Sequence, residues 1–430
     1  MVAGRRSDHC RAVPILLDPE PPGADPAAEM AAWAASGAMA LTGRAGGPPL
    51  GPPAGLVTKL RALGTRLAAG AAALGGTVEI DPVALLGERA AVAGLRRHGT
   101  TSCGGASRLL ACDGGWLALS LARRDDVALV PAWLELDGPP ADPWRTIERA
   151  VAARAGEELL DRARLLGLPA AWLPADPIAA LARPAIRDTS LGTAAPVADM
   201  GDVGVVELGS LWAGPLCGSL LAAAGADVVK VESTRRPDGA RSGPSAFFDL
   251  LNAGKRGVAL DFSTGEGVRA LRALVAHADV VIEASRPRAL EQLGIDAPAL
   301  VGGDGPRAWV SITGHGRTGP AREWVAFGDD AAVAGGLVAW DDAGPVFCAD
   351  AIADPTTGVV AAVAALETLA TGGRHLLDVP LAAVAAHLAG LTLPVPSGIT
   401  VAEPHPRPTS TPGPRLGEHT EEVLAELGLD

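Results

Sequence analysis

The stretch from Val203 to Phe262 constrains the fold more than any other part of this chain. An apolar run, Val203, Val205, Val206 and Leu208, stops at Gly209, the pattern of a buried strand meeting a turn. Ala213-Gly214-Pro215 then opens an apolar segment through Ala224, whose small side chains suit a helix set close against a sheet. Gly225 ends that helix, and Asp227 to Glu232 reads as the next strand. A strand, a helix and a strand of these lengths make a βαβ unit, and a parallel sheet follows from it. A generic nucleotide-type fold whose glycines only make turns is the competing account of the same pattern.

The alternation continues downstream. Thr264 to His277 reads as a helix, Ala278 to Glu283 as a strand, Ser285 to Ala289 as a helix start and Ala308 to Thr313 as a strand. Strands near 204–208, 227–232, 279–283 and 308–312 alternating with helices predict an α/β fold with an open, Rossmann-like parallel sheet. Ligands of such sheets bind at the carboxyl ends of the strands, where Glu207, Glu232, Ser285, Arg286 and Thr313 fall. An apolar helix from Pro355 to Thr371, a proline-rich tail (393–414) and a last helix, Glu418 to Leu427, complete this half.

The upstream half has another texture. Residues 1–27, rich in Pro, Gly and charge, predict no regular structure of their own. Helical patterns cover Glu29 to Gly37, Leu56 to Leu74 and Asp81 to Leu95, the last starting at Asp81-Pro82. A glycine-bearing loop, His98 to Arg108, leads into a hairpin, Leu109–Cys112 and Trp116–Leu121, around Asp113-Gly114-Gly115. Helices over Pro143–Ala155 and Gly156–Leu166 and a strand over Leu168–Leu173 follow. The expected division is a helical segment with a partial large-domain fragment (1–95), a small α/β domain (96–185), a linker (186–202, with Pro184 to Gly201 as its plausible extent), the large domain (203–392) and a tail (393–430). No fixed-period repeat is evident, but ASGAMALTG (35–43) echoes AGGLVAWDDAG (334–344).

A net charge of −13 argues against nucleic acid as a partner. No long uncharged apolar run suggests a membrane span, and the first residues make a poor signal peptide. Cys10, Cys103, Cys112, Cys217 and Cys348 lack metal-ligand spacing, so reduced thiols, a cytoplasmic setting and no metal are expected. Tyrosine is absent, which excludes a phenol from any mechanism. Lys59, Lys230 and Lys255 are the only lysines beside 33 arginines, so each draws attention.

Motifs for hydrolase elbows, zinc proteases and Walker loops are absent. Dispersed histidines such as His419 fit structural roles, and Cys217 at a helix start reads either as a stabilised thiolate or as a buried small residue. Asp354 precedes Pro355 at a helix N-terminus; an N-cap explains it, and so does a carboxylate nucleophile toward an acyl carbonyl. Asp350, one turn earlier, stays open as an alternative, and Gly358 would allow a close substrate approach. Arg235 with Arg236, Lys255 with Arg256, and Arg286 with Arg288 read either as a polyphosphate pocket or as solvated surface.

At these residues the chain resembles the family III CoA-transferases, the group that includes formyl-CoA and carnitine CoA-transferases and α-methylacyl-CoA racemase. ELGSLWAGPLCGSLLAAAGADVVKVE (207–232), LNAGKRGVALDF (251–262), ADVVIEASRPRALEQLGI (278–295), VSITGHGRTGP (310–320), ADPTTG (353–358), DVPLAAV (378–384) and PRLGEHTEEVLAELGL (414–429) carry the resemblance. DGGWLALSL and LGLPAAWL resemble the family's small domain, and HGTTSCGGASR its mobile active-site loop. That domain normally follows the large one, so the resemblance implies a fused, permuted or duplicated order. Usual members are interlocked dimers; a homodimer and a complete site in one chain both stay open.

The resemblance implies that Asp354 attacks an acyl-CoA thioester, with Gly104 and Gly105 shielding the intermediate. It implies CoA contacts from Ala213, Asn252, Lys255, Arg256, Arg235 and Arg236, and weaker ones from Arg286 and Arg288. A Ser233 stands where the family commonly has an Arg after the glutamate. Acyl-CoA and a carboxylic acid would be the substrates, with no resident cofactor. The racemase relatives' His would fall within 325–336, which has none; Asp329 or Asp330 could stand in. Racemisation and non-catalytic acyl-CoA binding are the alternatives to transfer.

Overall fold

A computed structural model describes residues 25–175, 184–409 and 411–429. The expectation for residues 1–24, and Cys10 with it, lies outside the described residues.

Seven strands form the large sheet: β4 (Arg187–Gly192), β5 (Gly204–Leu208), β6 (Asp227–Ser233), β7 (Arg256–Leu260), β8 (Val280–Glu283), β9 (Ala308–Thr313) and β12 (Arg374–Pro380). Their order is β4-β12-β9-β8-β5-β6-β7, parallel throughout except for the β4–β12 pair. The four strands expected from apolar runs are present. Strand β4 corrects the linker reading of 184–201: Arg187-Asp188-Thr189-Ser190 lacks any apolar alternation. It forms because an edge strand needs only a backbone ladder to β12, aided by a 2.7 Å His375–Asp188 contact.

A smaller antiparallel sheet holds β1 (Ser107–Cys112), β2 (Gly115–Ser120) and β3 (Ala170–Trp172). One of its faces is covered by helices Arg124–Leu134, Pro143–Ala152 and Gly156–Leu166, with Leu117, Trp133, Ile147 and Leu159 buried between. Its other face, through Leu109, Ala118 and Ala171, rests on Val333, Val338 and Phe347 beside helix Gly328–Ala334. Val338 and Phe347 flank the short hairpin of β10 (Ala339–Asp341) and β11 (Gly344–Val346).

The N-terminal segment is built into the large domain's core. Trp33, Leu56, Leu60 and Leu67 share one apolar cluster with Leu216, Val360 and Leu388. Helix Leu56–Ala73 therefore packs on the long helix Ala353–Thr371, which also packs on Ala213–Ala223. Gly358 sits at that second contact: a Cβ there would lie 2.9 Å from the Ala213 carbonyl and 3.0 Å from Leu216. Its small size serves helix packing, which corrects the expectation of substrate approach. The helix expected over Asp81–Leu95 is a 3-10 turn, Ala84–Gly87, followed by Glu88–Ala93, because Asp81 folds back onto the Val83 N–H at 2.9 Å.

All three lysines are buried. Lys59 donates to the His387 carbonyl at 2.7 Å. Lys230 and Lys255 share Glu207, at 3.1 and 2.6 Å, and Lys230 also meets Asp238 at 2.9 Å. Burial pulls the Lys255 ammonium down to about 8, while the two lysines hold Glu207 below its ordinary value against the burial that opposes them. This network ties β5 to β6 and to the residue before β7. Lys255→Met is expected to cost about 3 kcal/mol, since it strips a buried carboxylate of one partner. A denaturant midpoint equal to that of the parent protein would show that the pair contributes nothing to the fold.

Candidate active site

Asp354 lies in the first turn of helix Ala353–Thr371, with Ile352 as the N-cap, so the cap reading is displaced by two residues. Its N–H donates to the Ala351 carbonyl at 2.9 Å. The approach to the helix is strained: Ala349 and Ala351 hold φ of 53° and 43°, a left-handed conformation costly for alanine. Outside contacts hold this turn. The Ala349 N–H donates to Thr42 Oγ1 at 3.0 Å, and the Ala351 N–H donates to Asp329 Oδ1 at 3.1 Å.

The Asp354 side chain keeps a partial opening to solvent but is otherwise enclosed. That desolvation, with Asp329 and Asp350 nearby, pushes its carboxyl up to about 7 despite the opposing charge of Arg89 and the Gly328 N–H. Gly328 is dictated by this side chain: a Cβ there would lie 2.5 Å from Asp354 Oδ2 and 2.4 Å from the Ala351 carbonyl. Asp350 is fully buried and gripped by both arms of Arg89, at 2.8 and 2.5 Å. The Arg89 guanidinium also lies 5.2 Å from the centre of the Trp212 ring.

The glycine-bearing loop reaches this pocket. Cys103 Sγ contacts the Ala349 carbonyl at 3.4 Å, and a Cβ on Gly104 would sit 3.5 Å from Arg89 Nη2. Gly105 has φ of 77° and open space around it. Ser107 donates to Asp329 at 3.1 Å. Burial raises the Asp329 carboxyl, and it raises Asp330, which accepts from Ser120 at 2.7 Å, to about 7. Asp354, Asp350 and Asp329 thus converge, joined by Arg89, which sequence reading missed and which Gly104 adjoins. Arg89 carried no motif, and its partner is 261 residues away.

The expected CoA contacts divide. Arg236, Arg286 and Arg288 are exposed on segments following the carboxyl ends of β6 and β8. Burial and the charges of Arg288, Arg123 and Arg236, opposed by Glu323, pull the Arg286 guanidinium below its ordinary value, so those three arginines lie within electrostatic range of it. Arg123, held by Asp126 at 2.5 Å, comes from the small domain and was not foreseen. Arg235 pairs with Asp261 at 3.1 Å on the same side.

Lys255 and Asn252 do not face this edge. The lysine is buried on Glu207, the Pro215 carbonyl and Asn252 Oδ1, and the Asn252 amide donates to the Phe248 carbonyl at 2.9 Å. Arg256 opens β7 at the opposite, amino edge, bound to Asp227 and to Glu426 of the tail helix Thr420–Glu426. Ala213 is buried at its helix start. Cys217 is a buried thiol whose proton affinity burial raises strongly, and His419 accepts from the Gly257 N–H at 3.1 Å as a docking contact. Charge type alone did not reveal which edge of the sheet each residue faces.

Sequence comparison meets the same region. A protein named succinyl-CoA–D-citramalate CoA-transferase, from Chloroflexus aurantiacus, is 34% identical over 184 residues, covering 40% of this chain and 46% of its own. Succinate–glutarate CoA-transferase from Agrobacterium fabrum is 35% identical over 208 residues, covering 42% and 52%. A CAIB/BAIF family protein of known structure from Brucella suis aligns over 44% of this chain and 54% of its own, at 33% identity and a TM-score of 0.40. The chain spans about half the length of these relatives. Residues 200–420, just over half of the chain, match the profile of CoA-transferase family III, and the chain belongs to that family.

Proposed function

We propose that the protein transfers CoA from an acyl-CoA to a carboxylic acid, with Asp354 as nucleophile. The observation that carries this reading is the Asp354 carboxyl set against Gly328 in a partly open but poorly solvated position, next to the turn that the Cys103–Gly105 loop contacts. Membership of the family and the named activities of the relatives support it.

The ionised Asp354 attacks the thioester carbonyl, and collapse of the tetrahedral oxyanion expels CoA thiolate to leave a mixed anhydride. The thiolate attacks the aspartyl carbonyl, releasing the donor acid and forming an aspartyl-CoA thioester. An acceptor carboxylate then attacks that thioester, and the thiolate freed in this step takes the acceptor acyl group, which regenerates Asp354. Water must be excluded, because it would hydrolyse either intermediate. That role is assigned to the Cys103–Gly105 loop, and its contact with the Ala349 carbonyl supports the assignment. Arg236, Arg286, Arg288 and Arg123 form the phosphate-binding surface for CoA, since guanidinium groups pair with phosphate oxygens in bidentate fashion.

The order of parts supports reading the chain as a rearranged double of the family: the small domain and its loop precede the large sheet, and the loop still reaches the Ala349 turn that leads into Asp354. One chain then assembles the site from both halves.

A second reading is epimerisation at the carbon next to the thioester. Asp329 favours it, because its carboxyl is raised in proton affinity and stands beside Asp354. Solvent deuterium appearing at that carbon without exchange of label between acyl-CoA and acid would establish it in place of transfer.

Asp354→Asn is expected to lower transfer by about 10⁴-fold or more with the fold intact. Hydroxylamine added during turnover of the parent protein should leave a hydroxamate on Asp354, read by peptide mass spectrometry. Full transfer in the variant would remove Asp354 as nucleophile. The attacking species is the ionised form, so kcat/KM should rise with pH and be half-maximal near the Asp354 value of about 7. A profile flat across that value contradicts the assignment. Replacing Arg286 and Arg288 together by Ala should raise KM for acyl-CoA about tenfold or more at little cost in kcat, the pattern of lost phosphate contacts.

A further inference from the structure

The sequence around helix Leu56–Ala73 echoes the sequence around the helix that carries Asp354. Helix Leu56–Ala73 begins 297 residues before helix Ala353–Thr371. At that offset Gly75-Gly76 matches Gly372-Gly373, Asp81 matches Asp378, and the turn starting at Ala84 matches the helix Leu381–Leu388. The two segments meet face to face. Arg44 pairs with Asp341 at 2.7 Å, Arg66 pairs with Glu367 at 2.6 Å, and Gly70 lies under Leu366. In this register Val57 stands where the later segment has Asp354, so the earlier segment holds no nucleophile of its own.

The earlier segment supplies Arg89 instead, at the position matching Ala386. Arg89 reaches from helix Glu88–Ala93 across to Asp350, and its charge faces both Asp329 and Asp354. We propose that Arg89 is a positioning residue for Asp354, fixing the Asp350 turn and setting the charge that the nucleophile meets. The proposal rests on the reading of Asp354 as nucleophile.

The groups around Asp354 come from every neighbouring element. Asp329 is on helix Gly328–Ala334, Asp350 on the strained turn, Arg89 on its own helix, and the Cys103 thiol, held neutral by burial, on the loop. Helix Ala213–Ala223 presents no charged residue. Removing Arg89 therefore leaves Asp354 among like charges, and removing the Asp350 charge has the reverse effect.

The test uses the full chain with ¹³C-labelled aspartate carboxyls, Asp354 being assigned by the signal lost in Asp354→Asn. Arg89→Met is expected to raise the Asp354 titration midpoint by about one pH unit or more, and Asp350→Asn to lower it. The acid limb of the transfer rate should follow in the same two directions, and Arg89→Lys should restore most of the midpoint. Should Arg89→Met fail to fold with Asp350 unpaired, Arg89→Lys and Asp350→Asn still carry the test. Midpoints unchanged in the folded variants, with activity lost only in step with stability, would make Arg89 a structural brace and overturn the proposal. Opposite midpoint shifts in a protein that transfers no CoA would uphold the positioning role and defeat the nucleophile reading.

Discussion

Three carboxyl groups, Asp329, Asp350 and Asp354, share one poorly solvated pocket, and the guanidinium of Arg89 is the charge that makes this arrangement tenable. Buried like charges oppose one another strongly, so without a cation the group would have to take up protons or open. The compensation is partial. Asp350 has the full bidentate contact, while Asp329 and Asp354 keep raised proton affinities. The same pair braces a turn with two left-handed alanines, which the Thr42 and Asp329 contacts also hold. The reactive geometry therefore depends on residues from the first hundred of the chain.

The rest of the fold places that pocket. Helix Ala353–Thr371 is buried between Leu56–Ala73 and Ala213–Ala223, so Asp354 cannot shift without moving two helices. The small sheet rests on helix Gly328–Ala334, and this contact brings the loop of Cys103 and Gly104 over the same turn. At the sheet's carboxyl edge, Arg286 feels the charges of Arg236, Arg288 and, from the small domain, Arg123. Both halves of the chain thus contribute to each side of the site.

Legibility followed physical locality. Val205-Val206, Val228-Val229 and Val280-Val281 are central strands buried on both faces, and such strands announce themselves as apolar runs. Strand β4 has no such run because only its backbone is needed at an edge. Helix Arg124–Leu134 escaped notice, with Pro131 interrupting its pattern. Asp354 stood out in the sequence through its motif, whereas Arg89 did not, because its partner Asp350 is distant in sequence, and Arg123 did not, because the charge it acts on belongs to another element. Lys255 and Asn252 were assigned to CoA from their motif, yet the same residue types also satisfy a buried carboxylate and a helix carbonyl.

By itself, the sequence determined the α/β class, the parallel order of the central strands, the hairpin of the small domain and the aspartate at the head of the long helix. These rest on periodicity and on contacts between near neighbours. Only the tertiary structure decided that the lysines are internal, that Arg256 faces the amino edge, and that Arg89 from the N-terminal segment grips Asp350 beside Asp354. Those outcomes depend on which side chains remain within reach of water once the core has closed, and chain order does not encode that locally.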